Sequence, residues 1–380
     1  MRIAIISMYY GSNYGQGLCV QKLAEELAKK NKVTVFHSQK SFLDRNKNLA
    51  FHFVDAGKIM GIDFMRFKKK ISKEFKKINA KEKFDLIYAN SFEGAGLLQE
   101  KIPFFYHARG TVKGNAMNRP ESFFMAELLR KPFIKLFEKW DKQCAQKALK
   151  IFVPSRQIEK EIIEYYAAEK NKIQIINDGI DLIHFNPKIS GKALKNKIGL
   201  QKNKIVLFVG RIVPQKGLQY LIDAMPFVLK KIPEARLLVV GDTTSENYLN
   251  KLKKKTKELK LIEKIVFAGY IAQKQMPEFL AAADVVVSPS TYEPFGIINL
   301  EAVAMQKKLL ASELIGTKEL FKNYAEFFNP YCIEELGEKI VKELNSKKKI
   351  NLVEAKKICK NCSWNFTAKQ IEQIFKKEFK

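Results

Sequence analysis

The chain has 380 residues, with 68 Lys and Arg against 40 Asp and Glu, and 46% of its residues are hydrophobic. That length exceeds what one hydrophobic core usually serves, so two domains are expected; no apolar run approaches the ~18 residues of a membrane span, and Met1 to Ser7 is too short for a secretory signal. A formal charge of +28 attracts polyanions of any kind, whether nucleic acid, anionic lipid or phosphorylated substrate, without choosing among them.

Five scattered cysteines argue for a reducing cytosol rather than a disulfide framework. Cys359-Lys360-Asn361-Cys362 is a single C-x-x-C with no second pair and no nearby His, so it does not make a zinc site.

Taken in order, Arg2 to Ser7 reads as a buried strand. The glycine-rich loop Gly11-Ser12-Asn13-Tyr14-Gly15-Gln16-Gly17 follows, and then a helix with Val20, Leu23, Ala24, Leu27 and Ala28 on one face. Strand, glycine loop and helix form a phosphate-approach geometry. The spacing is G-x3-G-x-G rather than the dinucleotide pattern, and the strand Val33 to Phe36 ends at His37-Ser38 without an acidic residue, which argues against a nicotinamide or flavin site. No G-x4-G-K-[ST] occurs, so a P-loop is unsupported.

Further strands are expected at Ala50 to Val54, Leu86 to Ala89, Phe104 to His107, Ile151 to Pro154 and Ile173 to Ile176, with helix-length segments between them. This alternation means an α/β fold with a parallel, doubly wound sheet, whose ligands sit at the carboxyl ends of strands. His107 lies at such an end. Phe64, Phe67, Ile71, Phe75 and Ile78 make an apolar stripe beside nine Lys or Arg in residues 66 to 83. This describes either a segment lying on an anionic membrane, Phe64 to Lys83, or a core-packed helix in a lysine-rich protein. The stretch from Phe123 to Trp140 carries the same two readings.

Asn177-Asp178-Gly179-Ile180-Asp181 and Pro187 read as turn and linker. A second βαβ series then opens with the strand Ile205 to Val209 and the loop Gly210-Arg211-Ile212-Val213-Pro214-Gln215-Lys216-Gly217. Leu237 to Val240, Ile265 to Ala268, Val285 to Val287 and Lys308 to Ala311 continue its sheet. In the helix after the loop, Pro226 is expected to introduce a kink. Arg211 and Lys216 flank the loop, where two fixed cations suit a diphosphate leaving group.

After Val287 comes Glu293-Pro294-Phe295-Gly296-Ile297-Ile298-Asn299-Leu300-Glu301. Gly296 supplies a turn, and the amides of Gly296, Ile297 and Ile298 then face an anion at a helix N-terminus. Two carboxylates bracket those amides, as a long polar ligand with hydroxyls at both ends requires. The alternative is a helix cap at Glu293 and a solvated Glu301.

The combination Gly210-Arg211-x4-Lys216-Gly217 with Ser290-x2-Glu293-x-Phe295-Gly296-x4-Glu301 resembles the signature of the retaining glycosyltransferases of family 4, also called group 1. Asn177 to Asp181, Val153-Pro154-Ser155, Gly15 with Gly17, and Ser363-Trp364 are similar to further elements of that family, in the same order along nearly the whole chain. The resemblance implies a GT-B architecture of two Rossmann-like doubly wound domains facing across a cleft. Residues 1–185 would bind the acceptor and 186–362 the nucleotide sugar, and a C-terminal helix, 363–380, would cross back onto the first domain.

By the same resemblance, Glu301 holds the ribose, Glu293 and the backbone of Phe295 to Ile298 hold the donor sugar, and Gly210, Arg211 and Lys216 hold the diphosphate. Gly15 and Gly17 approach the diphosphate from the other domain, and His107 stands near the reacting sugar. His107, Arg211, Lys216 and Glu293 are thus the expected catalytic residues of a metal-independent hexosyltransferase that uses an NDP-sugar. Its acceptor is a carbohydrate, either soluble or lipid-linked at the inner face of the membrane. A non-catalytic nucleotide-sugar or polyanion binder is the alternative of another class. No nucleic acid is expected, because no reading module is present. Two departures stand out. Ile315-Gly316 replaces the family's Gly-Gly pair, and Gln39 to Lys83 matches nothing that names an acceptor.

Overall fold

The computed structural model describes residues 1–11, 15–39, 47–57, 59, 61–118, 124–243, 245–347 and 349–379, and side chains of 124–130 are not described. Ser12, Asn13 and Tyr14 of the glycine loop, residues 40–46 of the expected acceptor region and Phe123 fall outside this set. The chain forms two compact units. Unit 1 takes in 1–117, 121–179 and 364–380, and unit 2 is built on 180–363.

Unit 1 holds seven strands: β1 (Arg2–Ile6), β2 (Lys32–His37), β3 (Leu49–Phe53), β4 (Leu86–Asn90), β5 (Phe104–His107), β6 (Lys150–Val153) and β7 (Ile173–Ile175). They pair in the order β3-β2-β1-β4-β5-β6-β7, and every pairing is parallel. Ile3 to Ile6 and Leu86 to Asn90 are buried throughout, as strands covered on both faces must be. Because the chain runs outward from β1 to β3 and then restarts at β4 on the other side of β1, the topological switch point lies between β1 and β4.

Unit 2 repeats the plan with β8 (Lys204–Val209), β9 (Ala235–Val240), β10 (Ile265–Gly269), β11 (Val285–Ser288), β12 (Lys308–Ser312) and β13 (Glu326–Phe328). The order is β10-β9-β8-β11-β12-β13, again all parallel, which puts the switch point between β8 and β11. The doubly wound α/β expectation therefore holds for both units. The helix Leu218–Lys231 runs on through Pro226.

The final helix, Trp364–Glu378, belongs to unit 1. Its fully buried Phe375 packs edge-on against Phe105 with ring centroids 4.6 Å apart, and Thr367 Oγ1 donates to the carbonyl of Asn177 at 2.9 Å. A Cβ on Gly179 would collide with the backbone of Trp364, so this glycine lets the outgoing and returning chain run side by side.

The apolar stripe of the helix Ile62–Glu82 faces inward. Phe67, Ile71 and Phe75 are buried, and Phe75 stacks on Phe84 at 5.5 Å. Phe64 packs on Phe92 and Phe137, and Trp140 is buried. The first stretch thus keeps its stripe inside; of the second, Phe133 and Phe137 are half-buried and Trp140 buried, while the side chains of 123–130 lie outside the described residues. What remains outside on the first is a basic face, with Arg66, Lys69, Lys70, Lys73 and Lys77 exposed. Among the described residues, no helix is long and apolar enough to cross a membrane.

In unit 2 the loops after β8 and β11 are pressed together. Gly217 begins the helix Leu218–Lys231 at φ +73°, and a Cβ there would collide with the carbonyl of Pro289, just past β11. Beside this contact Thr291 N–H donates to Gln215 O at 2.9 Å, and the Gln215 side-chain amide donates to Tyr292 O at 3.2 Å. Gly217→Ala must move one loop away from the other as well as strain a left-handed backbone. It is expected to remove more than about 2 kcal/mol of stability in urea denaturation, whereas Gly199→Ala, at φ +69° but with open space around it, should lose less.

Candidate functional site

At the switch point of unit 2, the loop after β8 and the loop after β11 meet in an ion pair between Lys216 Nζ and Glu293 Oε2, both largely covered. Arg211, at the start of the same loop, is exposed. Gly210 leads into that loop, with Lys216 packed beside it.

The turn after Glu293 is clasped from β12's side. Gly316 N–H donates to Glu293 O at 2.8 Å, and Thr317 Oγ1 donates to Phe295 O at 2.5 Å. The segment Ile315 to Thr317, where the sequence departs from the family's paired glycines, is thus the strut of this turn, with Ile315 buried in it.

Gly296 caps the helix Ile297–Ala304 at φ +81°, a conformation that favours glycine. Asn299 lies directly beneath: a Cβ on Gly296 would sit 2.6 Å from Asn299 Nδ2. The amides of Ile297 and Ile298 open the first turn, where helix geometry supplies no intrahelical acceptor, so this end of the helix favours an anion.

Glu301 lies further along the same helix and is 6% exposed. One oxygen, Oε1, accepts from Gln273 Nε2 at 2.9 Å. Burial pushes the carboxyl up to about 7, and the Gln273 hydrogen bond acts against that rise. Glu301 is therefore not a solvated residue, and Glu293 does not cap the helix, whose N-cap is Gly296 with no side-chain cap hydrogen bond. Unit 2 thus brings Lys216, Glu293, the Phe295 to Ile298 backbone and Glu301 onto one turn and the loop against it.

Gly15, Gly17 and His107 belong to unit 1. Gly15 caps the helix Gln16–Leu27 at φ +68°, exposed and with nothing within 4 Å of where a Cβ would be, while the Gly17 carbonyl accepts from Gly11 N–H at 3.1 Å. His107 is fully buried at the end of β5. Its Nδ1 meets the Tyr88 hydroxyl, its ring lies edge-on to Tyr88 and Phe152, and its Nε2 has no partner among the described residues. Burial holds its pKa well below the usual imidazole range, with Arg109 adding to the effect, so the ring is neutral.

Unit 1 also carries a polar network that the sequence analysis did not find. Arg109 pairs with Asp178, both buried, and its Nε donates to Asn90 Oδ1 at 3.1 Å. Across the β1/β4 switch point, Met8 N–H donates to Glu93 Oε2 at 2.6 Å. Burial raises the Glu93 carboxyl to about 8, against the Met8 and Ser7 hydrogen bonds. Lone charged residues in Phe104 to Gly110 and Ser91 to Gly94 form no motif; only the topology brings them together.

Comparison with known proteins matches 191–362 to the model described as glycosyl transferases group 1, and 14–183 to glycosyltransferase family 4. An uncharacterized glycosyltransferase, MJ1607, of Methanocaldococcus jannaschii is 29% identical over 235 residues, 60% of this chain and 59% of that one. The UDP-Gal:alpha-D-GlcNAc-diphosphoundecaprenol alpha-1,3-galactosyltransferase of Escherichia coli is 30% identical over 263 residues, 66% of this chain and 64% of that one. Each match thus spans less than two thirds of the relative. Among solved structures, sucrose-phosphate synthase from Thermosynechococcus elongatus superposes with a TM-score of 0.85 at 21% identity, covering 100% of this chain and 99% of that one. With two parallel α/β units of this plan and family models matched across both, the chain belongs to the group 1 glycosyltransferases of family 4, with the GT-B fold.

Proposed function

We propose that the chain moves a hexose from a nucleoside-diphosphate hexose to an acceptor hydroxyl with retention of the anomeric configuration, using unit 2 for the donor and no metal ion. The observation that carries this reading is the contact of Lys216 with Glu293 at the β8/β11 switch point. A cation and a carboxylate that touch serve groups that are consecutive on a ligand, here the sugar-bearing phosphate and the sugar. The Ile297 and Ile298 amides add to the phosphate side, and Glu301, farther along the helix, takes the ribose hydroxyls.

As the bond from the anomeric carbon to the phosphate oxygen breaks, negative charge grows on the diphosphate, and Lys216 with Arg211 neutralises it. The acceptor oxygen bonds to the anomeric carbon on the face the diphosphate leaves, and its proton passes to the departing phosphate oxygen. His107 is neutral and its Nε2 is buried, so a hydrogen bond from it to a sugar would require that nitrogen to be uncovered.

For the acceptor we favour a lipid-linked carbohydrate at an anionic membrane surface. The support is the exposed basic face of the helix Ile62–Glu82, together with the diphosphoundecaprenol-linked substrate named for the Escherichia coli relative. The aromatic stripe being internal, adsorption is electrostatic, at about 1 kcal/mol per Lys or Arg near the surface and screened by salt.

Nucleotide release from a panel of UDP-, GDP- and ADP-hexoses tests the donor reading: one base should be preferred, and turnover should persist in excess chelator. Lys216→Ala should lower turnover by roughly two to three orders of magnitude. Restoration of a chelator-treated enzyme by magnesium or manganese would overturn the metal-free assignment.

The raised Glu301 carboxyl generates a pH dependence. The ionised form accepts from ribose hydroxyls, and it predominates only above about 7. Between pH 8 and pH 6 the ionised fraction falls about tenfold, and affinity for UDP should weaken by about the same factor if only that form binds well. In Glu301→Gln the profile attributable to this group should be flat and the affinity uniformly low; titration calorimetry at several pH values reads both.

Sedimentation with vesicles tests the acceptor surface. Binding is expected on anionic vesicles at low salt, with loss on neutral vesicles and in the triple variant Arg66→Glu, Lys69→Glu, Lys73→Glu. Equal behaviour on neutral and anionic vesicles would leave a soluble acceptor as the better reading.

A further inference from the structure

Gln273 sits in the loop after β10, on the short turn Gln273–Gln275, far in sequence from the residues that resemble the family's signature. It is half-buried and held at both ends. Its backbone carbonyl meets His184 Nε2 at 2.9 Å, and its side-chain amide donates to Glu301 Oε1 at 2.9 Å. His184 is itself fixed, since its amide N–H donates to Asp181 Oδ1 at 3.2 Å. Three separate segments of unit 2 thus meet in one chain of contacts that ends on a buried carboxylate.

We propose that Gln273 is a positioning residue for nucleoside recognition, holding Glu301 Oε1 so that Oε2 is presented to the ribose hydroxyls of the donor. A carboxylate has two oxygens and free rotation about its last bond. Among the described residues Gln273 is the one donor to the buried Glu301 carboxylate, so it orients that group, and the second oxygen is the acceptor left for a ligand. The amide also favours the ionised carboxylate, the form that accepts two hydroxyl hydrogens.

The inference rests on the donor reading above, and it separates from it by experiment. UDP and 2′,3′-dideoxy-UDP are titrated into the full-length protein, the Gln273→Ala and Gln273→Met variants, and Glu301→Gln. Met keeps the length and packing of Gln but has no N–H. Wild type should prefer UDP by about tenfold or more, the size of one or two lost hydrogen bonds to a charged group. Both Gln273 variants should cut that preference to less than about threefold while binding the dideoxy nucleotide as wild type does.

If UDP and its dideoxy form weaken in parallel in the variants, the role is merely structural and the proposal fails, with the donor site intact. Full discrimination in Gln273→Met also overturns it. If wild type binds UDP, GDP and ADP equally poorly, the donor reading itself has failed and this inference falls with it.

Discussion

The interaction around which unit 2 is organised is the ion pair of Lys216 with Glu293, and it exists because a glycine precedes the helix after β8. Neighbouring parallel strands deliver their following loops to the same edge of the sheet, but a side chain at residue 217 would hold those loops apart. With Gly217 against the Pro289 carbonyl, the loop carrying Gln215 and Lys216 hydrogen-bonds the segment from Thr291 to Tyr292, and lysine and glutamate then share one place. The Ile315 to Thr317 strut fixes the turn from the other side. Charge placement here follows from backbone packing.

The two units solve the same topological problem with different chemistry. Each has a switch point beside its first strand, β1/β4 in unit 1 and β8/β11 in unit 2, and each bridges it with a glutamate from the second of those loops. In unit 2 the bridge is ionic and partly accessible, Lys216 with Glu293. In unit 1 it is the Met8 amide on Glu93, a carboxyl that burial keeps largely protonated near neutrality. In the proposed reading, it is the accessible ion pair of unit 2 that a diphosphate competes for.

Most of the architecture was legible because buried parallel strands write themselves as short apolar runs: Ile3 to Ile6, Val285 to Val287 and the rest fall where the pattern predicts. β13 was missed, since Glu326 to Phe328 is three residues long at the sheet edge and has no run to read. The apolar stripe from Phe64 to Ile78 was legible as a helix but not as to what covers it, because a core and a bilayer ask for the same periodicity. Its burial against Phe84, Phe92 and neighbouring rings settles that question. The signature residues of unit 2 were found because they sit in contiguous motifs. Gln273, Thr317, Arg109 and Glu93 were not, since they act through long-range contacts between segments that only the sheet order brings together.

Sequence-level charge also says little about the charge at the site. The formal excess of +28 is largely a matter of exposed lysines, many of them on helix faces such as Arg66 to Lys77. Within unit 2's candidate site the decisive quantity is instead how far each carboxylate has been withdrawn from water. Glu293 keeps its partner in Lys216, so the charge of one is met by the other. Glu301 has an amide rather than a cation beside it, and desolvation carries it to about 7, where a small change in hydrogen bonding shifts its state of ionisation. Two glutamates eight residues apart thus stand in different electrostatic settings, one met by a cation and the other desolvated beside an amide. That difference comes from their neighbours, Lys216 and Gln273, which two different loops supply.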